Sequence, residues 1–239
     1  KIKKIFFDIE LPIARILAGM EEVGVLLDHQ FLKTLGDGVD RDLEECTATI
    51  YEHAGEVFNI SSSQQLSHIL FEKLGLHTTG LRKTPKGGVI STGASELEKL
   101  RSRHPIIPPI LLYRELMKLK TTYIDTLPAL INPRTERLHT TFNQTGTATG
   151  RLSSSNPNLQ NIPVMTEYGR EVRKAFIARP GYILASFDYS QIELRVAAHV
   201  ANDQKMIEAF RKGIDIHKMT ASEVYNVPLD KVTPEYRRA

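Results

Sequence analysis

The chain has 239 residues, of which 41% are hydrophobic and 25% charged, a composition typical of a globular protein with a sizeable core. Its single cysteine, Cys46, excludes an internal disulfide, and no apolar run approaches the ~18 residues of a membrane span. The net charge of +3 is too small to indicate a nucleic-acid partner by itself.

The first part of the chain is predicted to be helical. Apolar residues recur at helical spacing near the start, until Gly24 ends the helix and Val25 to Leu27 run extended. A long polar helix is predicted over 29–54, because its apolar residues keep spacings of three or four. Asn59 to Ser62 offer N-cap side chains for a further helix, which Gly75 ends.

A loop with a locally positive charge follows between Thr78 and Gly93. Its glycines and proline break the helical pattern, and its basic side chains include Lys83 and Lys86. Charge concentrated in this way can track phosphate groups, and the alternative is a solvated loop. Two more helices are predicted near 95–102 and 106–126.

From Asn132 the pattern changes to alternation, and Leu138 to Phe142 are predicted to form a strand. Residues 145–162 are rich in Thr, Ser, Asn and Gly and have no helical period. Apolar residues at intervals anchor this stretch. A long irregular segment inside a compact domain is commonly functional, which makes it a candidate binding element.

A strand-to-helix junction is predicted around Asp188. The apolar run from Tyr182 to Phe187 predicts a buried strand that ends at Asp188, and apolar residues then recur every four positions from Ile192 to Val200, which predicts a helix. A carboxylate at such a junction is held by a rigid scaffold, which suits a divalent metal. The alternative is that Asp188 or Ser190 caps the helix.

Further helices are predicted after the junction. One covers about 203–212, the next follows 213–218 and runs through Val224, and Thr233 caps a last helix that begins at Pro234. Taken by itself, His217 fits a helix cap or a surface position better than a ligand.

Two stretches resemble the signatures of one family. Asp188 to Arg195, with the sequence Asp-Tyr-Ser-Gln-Ile-Glu-Leu-Arg, are followed by Ala197-Ala198-His199. This stretch resembles the first catalytic motif of the family A DNA polymerases, the group of bacterial DNA polymerase I. Thr147 to Pro163 resemble a second signature of the same family. The resemblance extends more loosely from about Glu10 to the last residue.

The resemblance implies an α+β fold: a helical thumb arm on a partial palm with a small antiparallel sheet, followed by the first helices of the fingers. The implied domains are a DNA-gripping thumb over 1–131, a palm part with the first catalytic motif over 132–202, and the beginning of the fingers over 203–239. The strands near Leu138 to Phe142 and Tyr182 to Asp188 are then expected to be antiparallel neighbours.

The resemblance also implies two Mg²⁺ ions and deoxynucleoside triphosphate substrates. Asp188 is then the catalytic and metal-binding carboxylate, and the backbone carbonyl of Tyr189 adds an oxygen ligand. Glu193 is expected to block the 2′ position of the sugar, where only a ribonucleotide carries a hydroxyl. The residues implied at the nucleotide are Ser190, Gln191, Ile192, Glu193, His217 and Arg237.

Primer-template DNA is the implied partner, gripped by the thumb through its sugar-phosphate backbone and lined by the irregular stretch. Long side-chain donors can reach minor-groove acceptors that all base pairs share. For the lysines of the helix around 114–123, the alternative is the solvated face of an amphipathic helix. The residues implied at the DNA are Lys83, Lys86, Lys118, Lys120, Thr121, Arg151, Asn158, Gln160 and Asn161.

The implied function is template-directed DNA synthesis by 5′–3′ nucleotidyl transfer, in DNA replication and repair. We expect a monomer without membrane association, located in the bacterial cytoplasm at the nucleoid. The family's His-Asp-Glu motif, which carries the second catalytic carboxylate, does not occur in the sequence. The lysine of the fingers helix would fall beyond Ala239. We therefore expect a piece of a longer enzyme that is inactive alone.

Two alternatives stay open. One is a relative of the single-subunit RNA polymerases, which have a small residue at the position of Glu193. The other is a noncatalytic DNA-binding protein that keeps the thumb and the primer-binding stretch.

Overall fold

The computed structural model describes residues 1–83 and 90–238. The chain divides into two compact units, Lys1–Leu184 and Ala185–Ala239, and each is described by itself. The division falls inside the predicted palm segment 132–202, and the predicted domain boundaries stay predictions. In the described part of the chain, no helix combines the length and the apolar character needed to cross a membrane.

The first unit begins with a helical segment that Gly24 ends, as predicted. Gly24 has φ +63°, a conformation that residues with a side chain rarely adopt. The elements of this segment, which includes a π-helical turn, are α1 Ile2–Ile5, the π turn Phe6–Glu10, α2 Leu11–Val23 and the strand β1 Val25–Leu27.

The long helix α3 spans His29–Ala54, the range that the sequence predicts. Asp28 caps its start, because the Asp28 carboxylate accepts a hydrogen bond from the Phe31 amide at 2.8 Å. Gly55 ends it in the left-handed conformation, with φ +70°. The buried residues of α3 recur every three or four positions and form one continuous apolar face. This face consists of Leu32, Gly36, Val39, Leu43, Cys46, Ile50 and Ala54.

The other predicted helices of this unit exist, but π-helical turns interrupt two of them. The helix predicted over 106–126 is α-helical at first and then π-helical, and the one predicted near 95–102 is shorter than expected. In chain order the elements are α4 Ser63–Ser67, the π turn His68–Lys73, α5 Ala94–Glu98, α6 Ile107–Leu119, the π turn Lys120–Ile124 and α7 Thr126–Ala129.

Two apolar clusters form the core of the first unit, and α3 and α6 contribute to both. The first cluster joins the N-terminal half of α3 to the end of α6 and includes Leu32, Leu116 and Tyr123. The second joins the C-terminal end of α3 to the start of α6 and includes Ile50 and Ile110. The two helices therefore pack side by side in opposite directions.

Two small antiparallel sheets complete the unit, and their strands are β2 Arg137–Leu138, β3 Thr141–Asn143, β4 Ser153–Ser155 and, after the helix α8 Glu167–Lys174, β5 Phe176–Ile177. One sheet has the order β2-β1-β5, and the other pairs β3 with β4. Helices with small antiparallel sheets confirm the α+β class.

The prediction of one continuous strand over 138–142 is wrong. This segment is divided between the two sheets at His139 and Thr140, whose side chains bond to other segments instead of continuing the ladder. The His139 imidazole lies 2.7 Å from the Glu21 carbonyl, and the Thr140 hydroxyl donates to the Pro157 carbonyl at 2.7 Å.

The buried strand expected over 182–187 is also wrong, and so is its pairing with 138–142. Residues 182–189 belong to no helix or strand, and Ile183 and Phe187 are 88% and 95% exposed. An apolar run forms a strand only when another strand supplies hydrogen-bond partners. None of the strands in the described residues pairs with this segment.

The second unit is helical, and side chains cap three of its helices, including the cap predicted at Thr233. Asp203, Asp215 and Thr233 each accept a hydrogen bond from the backbone N–H three residues later. The helices are α9 Ile192–Ala201, α10 Gln204–Arg211, α11 Ile216–Val224, a 3₁₀ turn Leu229–Lys231 and α12 Pro234–Arg238.

Gly24→Ala is expected to destabilise the chain by roughly 2–4 kcal/mol, because it combines a positive φ with a steric clash. A Cβ at this position would lie 2.6 Å from the Leu138 carbonyl oxygen, a backbone atom that cannot move without disturbing the β1–β2 pairing. Urea unfolding followed by circular dichroism measures the effect.

Gly19→Ala is the matched control. Gly19 lies within α2, and a Cβ there meets no atom within 4 Å. This substitution is therefore expected to stabilise the chain by about 0.5–1 kcal/mol through helix propensity. Equal effects of the two substitutions would contradict the assigned role of Gly24.

Candidate functional site

Asp188 lies on an exposed segment without regular secondary structure, directly before a tight turn into α9. Gln191 forms the turn with φ +53°, in the left-handed region that non-glycine residues seldom occupy. Gln191 is also the N-cap of α9, and no side chain accepts a capping hydrogen bond there. The alternative that Asp188 or Ser190 caps the helix is therefore wrong, and the Asp188 carboxylate is left for another role.

The side chain of Arg195 holds this turn in place. Its Nε donates to the Ser190 carbonyl at 2.8 Å, and its guanidinium carbon lies 4.5 Å from the centre of the Phe210 ring. A guanidinium over an aromatic face adds a cation–π attraction. The turn after Asp188 is thus tied to α9 and supported by α10. Sequence reasoning missed both side chains of this tie.

The residues around Asp188 do not fit a two-ion metal site by themselves. Among residues 1–83 and 90–238, no group of three or more His, Cys, Asp or Glu side chains could hold a metal ion. Asp188 supplies one carboxylate and Tyr189 one backbone carbonyl, whereas two hard cations need more oxygen ligands than these. The described residues therefore supply part of the ligand set that two Mg²⁺ ions, expected in the complete enzyme, would need.

Four of the predicted nucleotide-binding residues lie on the turn after Asp188 or on the first turn of α9: Ser190, Gln191, Ile192 and Glu193. Ile192 and Glu193 are exposed. Glu193 lies five positions after Asp188, so in the sequence the turn at Gln191 falls between the two carboxylates.

The other two predicted nucleotide-binding residues, His217 and Arg237, line one cleft of about 270 Å³ between α11 and α12. Arg237 Nε donates to the Asp215 carboxylate at 2.8 Å. Burial alone would raise the pKa of Asp215, but hydrogen bonds from Arg237 and the Lys218 amide outweigh it and lower the pKa. Asp215 therefore caps α11 and orients Arg237 in the cleft wall at the same time.

In the first unit, two predicted DNA-binding side chains shape the loop that carries them. The Asn158 Oδ1 accepts from the Gln160 amide at 3.0 Å and from the Ser154 hydroxyl at 3.3 Å. The Gln160 side-chain amide donates to the Leu152 carbonyl at 3.2 Å. This stretch was predicted to be irregular throughout, but Ser153–Ser155 form β4 within it. Arg151, just before β4, is exposed.

The hydroxyls of two buried side chains, Tyr123 and Thr140, hold the backbone of the same loop. Tyr123, only 2% exposed, donates its hydroxyl to the Asn161 carbonyl at 2.5 Å. The Thr140 hydroxyl donates to the Ser155 carbonyl at 3.1 Å and to the Pro157 carbonyl at 2.7 Å. Sequence reasoning missed both residues, because each acts on backbone atoms more than ten positions away.

Lys118 and Lys120 differ in what surrounds their ammonium groups. Lys118 is exposed. Lys120 is only 24% exposed in its side chain and donates to Asp40 at 3.0 Å and to Asp125 at 3.2 Å. The hydrogen bond that Lys120 donates to Asp40 is the main reason that the pKa of Lys120 is raised. The expectation of Lys120 as a phosphate contact is therefore weakened, since two carboxylates already neutralise it.

Thr121 and Lys83 complete the placement of the predicted DNA-binding residues. The Thr121 hydroxyl donates to the Met117 carbonyl at 2.7 Å, so its proton is used within the helix. Lys83 is exposed, and its backbone forms a bridge to Ile90 at the base of the basic loop. Lys86 lies outside the described residues.

Arg195→Met is expected to loosen the turn after Asp188. Methionine keeps an apolar stem next to Phe210 but cannot donate to the Ser190 carbonyl. Because a charge-assisted hydrogen bond contributes ~1.5 kcal/mol, amide exchange over 189–197 should rise by up to roughly tenfold. Hydrogen–deuterium exchange with mass spectrometry measures this.

The control for that experiment is Arg211→Met, which removes a guanidinium from the same cleft between α9 and α10. Unchanged exchange over 189–197 is expected in the control. Equal exchange in the Arg195→Met variant and the wild type would show that Arg195 does not hold the turn.

Comparisons with known proteins agree with the motifs. The chain is 52% identical over 235 residues to the thermostable DNA polymerase I of Thermus aquaticus, a match that covers 98% of this chain and 28% of that protein. It is 50% identical over 236 residues to DNA polymerase I of Chloroflexus aurantiacus, covering 98% and 25%. The chain thus spans little more than a quarter of the length of these relatives.

A solved structure and a family model extend the comparison. The POL domain of Pol1 from M. smegmatis, in complex with DNA primer-template and dNTP, matches with a TM-score of 0.87 and 40% identity over 98% of this chain and 41% of that one. The model of DNA polymerase family A matches residues 29–239. The chain therefore belongs to the family A DNA polymerases.

Proposed function

We propose that this chain is part of a bacterial DNA-directed DNA polymerase that extends a primer by 5′–3′ nucleotidyl transfer, in DNA replication and repair. The observation that carries the proposal is the exposed Asp188 carboxylate, which is held before α9 by the Arg195–Phe210 pair in a chain of this family. In this proposal residues 1–131 are the thumb, 132–202 part of the palm and 203–239 the beginning of the fingers.

Asp188 is proposed to be the first catalytic carboxylate, with the Tyr189 carbonyl as a neighbouring oxygen ligand. Divalent ions, when bound by the whole centre of such an enzyme, stabilise charge on the attacking and leaving oxygens. The described residues supply one carboxylate of that centre. Arg195 is proposed to act as a positioning residue, because it fixes the turn after Asp188 and so restricts where the Asp188 carboxylate can lie.

The proposed nucleotide-binding residues include some that suit the phosphates of the substrate and one that suits its sugar. His217 and Arg237 line one cleft and bring donors for phosphate oxygens. Glu193, on the first turn of α9, is proposed to exclude a 2′-hydroxyl by occupying its space. A carboxylate at this position favours deoxyribonucleotides and argues against the RNA polymerase alternative.

Primer-template DNA is the proposed partner of the first unit. Exposed Lys83, Lys118 and Arg151 can pair with phosphates and supply affinity without sequence preference. Asn158 uses Oδ1 for its own loop, so its two N–H donors are the groups that could reach minor-groove acceptors. The solved relative in complex with primer-template DNA and dNTP supports this proposal.

The second candidate is a noncatalytic DNA-binding protein. It would keep the DNA contacts proposed for the first unit, and the exposed Asp188 carboxylate argues against it. An activity assay on the chain itself separates its DNA binding from its chemistry. A monomeric state and a cytoplasmic location at the nucleoid remain predictions, which the bacterial origin of the named relatives supports.

The 239-residue chain is expected to bind primer-template DNA without extending the primer. Binding should weaken steeply with salt, because phosphate contacts release counterions. Extension should be reduced by roughly a thousandfold or more, because the chain offers one catalytic carboxylate and so lacks the preorganised charge of a complete centre. Single-turnover extension of a labelled primer with Mg²⁺ and four deoxynucleotides measures this.

The control is Asp188→Ala at the same length, a substitution at an exposed site that leaves the fold intact. The two chains are expected to extend equally little. Extension by the wild type above this control would show that one carboxylate suffices. An absence of DNA binding would remove the support for both candidate functions.

Lys118→Ala and Lys120→Ala are expected to differ in DNA binding. Lys118→Ala should weaken binding and reduce the slope of log K against log salt by about 0.9, the value of one phosphate contact. Lys120→Ala should leave that slope unchanged and lower the free energy of unfolding by roughly 0.5–1 kcal/mol, because it breaks two partly exposed ion pairs.

The pH dependence gives a further check on Lys120. Its pKa is raised in the folded state, so its ion pairs stabilise the fold below the unfolded pKa of Lys120 for as long as the partner carboxylates are charged. This contribution is lost as the pH rises through the folded pKa.

For the DNA-binding experiment, a salt slope that changes equally in Lys118→Ala and Lys120→Ala would contradict the proposal that Lys120 stabilises the fold and does not contact phosphate.

A further inference from the structure

Two buried hydroxyls, those of Tyr123 and Thr140, bond to backbone carbonyls of one loop, residues 156–161 and the strand end before it. This loop carries three of the proposed DNA contacts, Asn158, Gln160 and Asn161. The carbonyls that accept these bonds are at Ser155, Pro157 and Asn161, so both ends of the loop are held.

Tyr123 is a fixed anchor point for the C-terminal end of the loop. It follows α6 within the π-helical turn Lys120–Ile124, and its ring is buried in the first core cluster together with Ile162. A ring packed in this way cannot move unless the core opens. The hydroxyl, 2.5 Å from the Asn161 carbonyl, therefore fixes the backbone between Gln160 and Ile162.

Thr140 anchors the other end. It lies between β2 and β3 and is 6% exposed. Its single hydroxyl proton is shared between the Ser155 carbonyl at 3.1 Å and the Pro157 carbonyl at 2.7 Å. The loop thus leaves β4 with its backbone already oriented.

We propose that Tyr123 and Thr140 are positioning residues for DNA binding: their hydroxyls preorganise the 156–161 loop so that its side chains meet the duplex without reordering. This inference rests on the proposed function, because it assigns a purpose to the loop contacts with DNA. In this proposal neither side chain contacts DNA. Both act through the backbone of the loop.

The expected size of the effect follows from population arithmetic. When a hydroxyl is removed, a smaller fraction of chains holds the loop in the binding-competent arrangement, and the apparent dissociation constant rises by the inverse of that fraction. The loss is limited by the value of one hydrogen bond, about fivefold in affinity. The number of phosphate contacts in the bound state does not change, so the salt slope should stay the same.

The test compares Tyr123→Phe and Thr140→Val with the wild-type 239-residue chain. Phenylalanine keeps the ring in the core, and valine keeps a branched side chain of similar size, so each variant mainly loses a hydroxyl. The matched control is Tyr51→Phe, because the Tyr51 hydroxyl also donates to a backbone carbonyl, that of Phe58 at 3.0 Å, within the second core cluster.

Three quantities are measured: the affinity for a fluorescent primer-template duplex by anisotropy, its salt slope, and amide exchange over 156–162. Unfolding midpoints are recorded in parallel. We expect up to roughly fivefold weaker binding with an unchanged slope and faster loop exchange for Tyr123→Phe and Thr140→Val. Tyr51→Phe should lose stability and keep the wild-type affinity.

A purely structural role would lower the unfolding midpoints of all three variants and leave the affinity of the folded chains unchanged. That result overturns the inference even if the wild type binds DNA. If the wild-type chain does not bind the duplex, both the proposed DNA contact and this inference are wrong. The two failures are therefore distinguishable.

Discussion

The close packing of α3 against α6 is the constraint on which the rest of the first unit depends. The two helices share both apolar clusters, so neither cluster forms unless they lie side by side. Gly36 lets the π turn that follows α6 approach α3, since an added Cβ there would lie 3.0 Å from the Ile124 side chain. In the same π turn, Lys120 pairs with Asp40 of α3 at 3.0 Å.

The loop at 156–161, which is proposed to bind DNA, is attached to this helix pair by both apolar packing and polar contacts. Leu159 packs against the first apolar cluster, in which the following Ile162 is buried, and the backbone carbonyls of the loop find donors in the scaffold. Tyr123 supplies such a donor from the core, and Tyr168 adds a second tie between α8 and α3 through the Asp42 carboxylate at 2.7 Å. That hydrogen bond, with burial, raises the pKa of Tyr168 to about 12, so its phenol stays protonated.

The sequence predicted α3 correctly because its apolar residues keep helical spacing over many turns, and the structure adds Asp28 and Gly55 as the residues that cap its ends. The apolar run at 182–187 is much shorter. Periodicity shows that a segment could pair as a strand, but pairing depends on a partner elsewhere in the chain, which local pattern does not contain. The π turn after α6 is likewise invisible, since one extra residue per turn leaves the composition unchanged.

The candidate site shows the same division. Asp188 was identified by the residues around it, because a motif records chemistry directly. What holds Asp188 was not, since Arg195 and Phe210 lie fifteen positions apart on different helices and follow no common pattern. The prediction that Lys120 contacts phosphate rests on its charge, which is visible in the sequence, whereas its ion pair with Asp40 depends on a contact across eighty residues.

Binding and chemistry make different demands on the same chain. Affinity for a phosphate backbone is a sum of separate contacts, each worth about one released counterion, so a part of the surface keeps a part of the affinity. Catalysis requires carboxylates, ions and substrate within one constellation, and the residues of such a constellation are strongly non-additive. An isolated Asp188, however well Arg195 holds it, therefore contributes little by itself. Its exposed carboxylate can contribute to catalysis only where further ligands converge on the same point. The proposed role of Asp188 therefore depends on the position that the turn gives the carboxylate, and not on its charge alone.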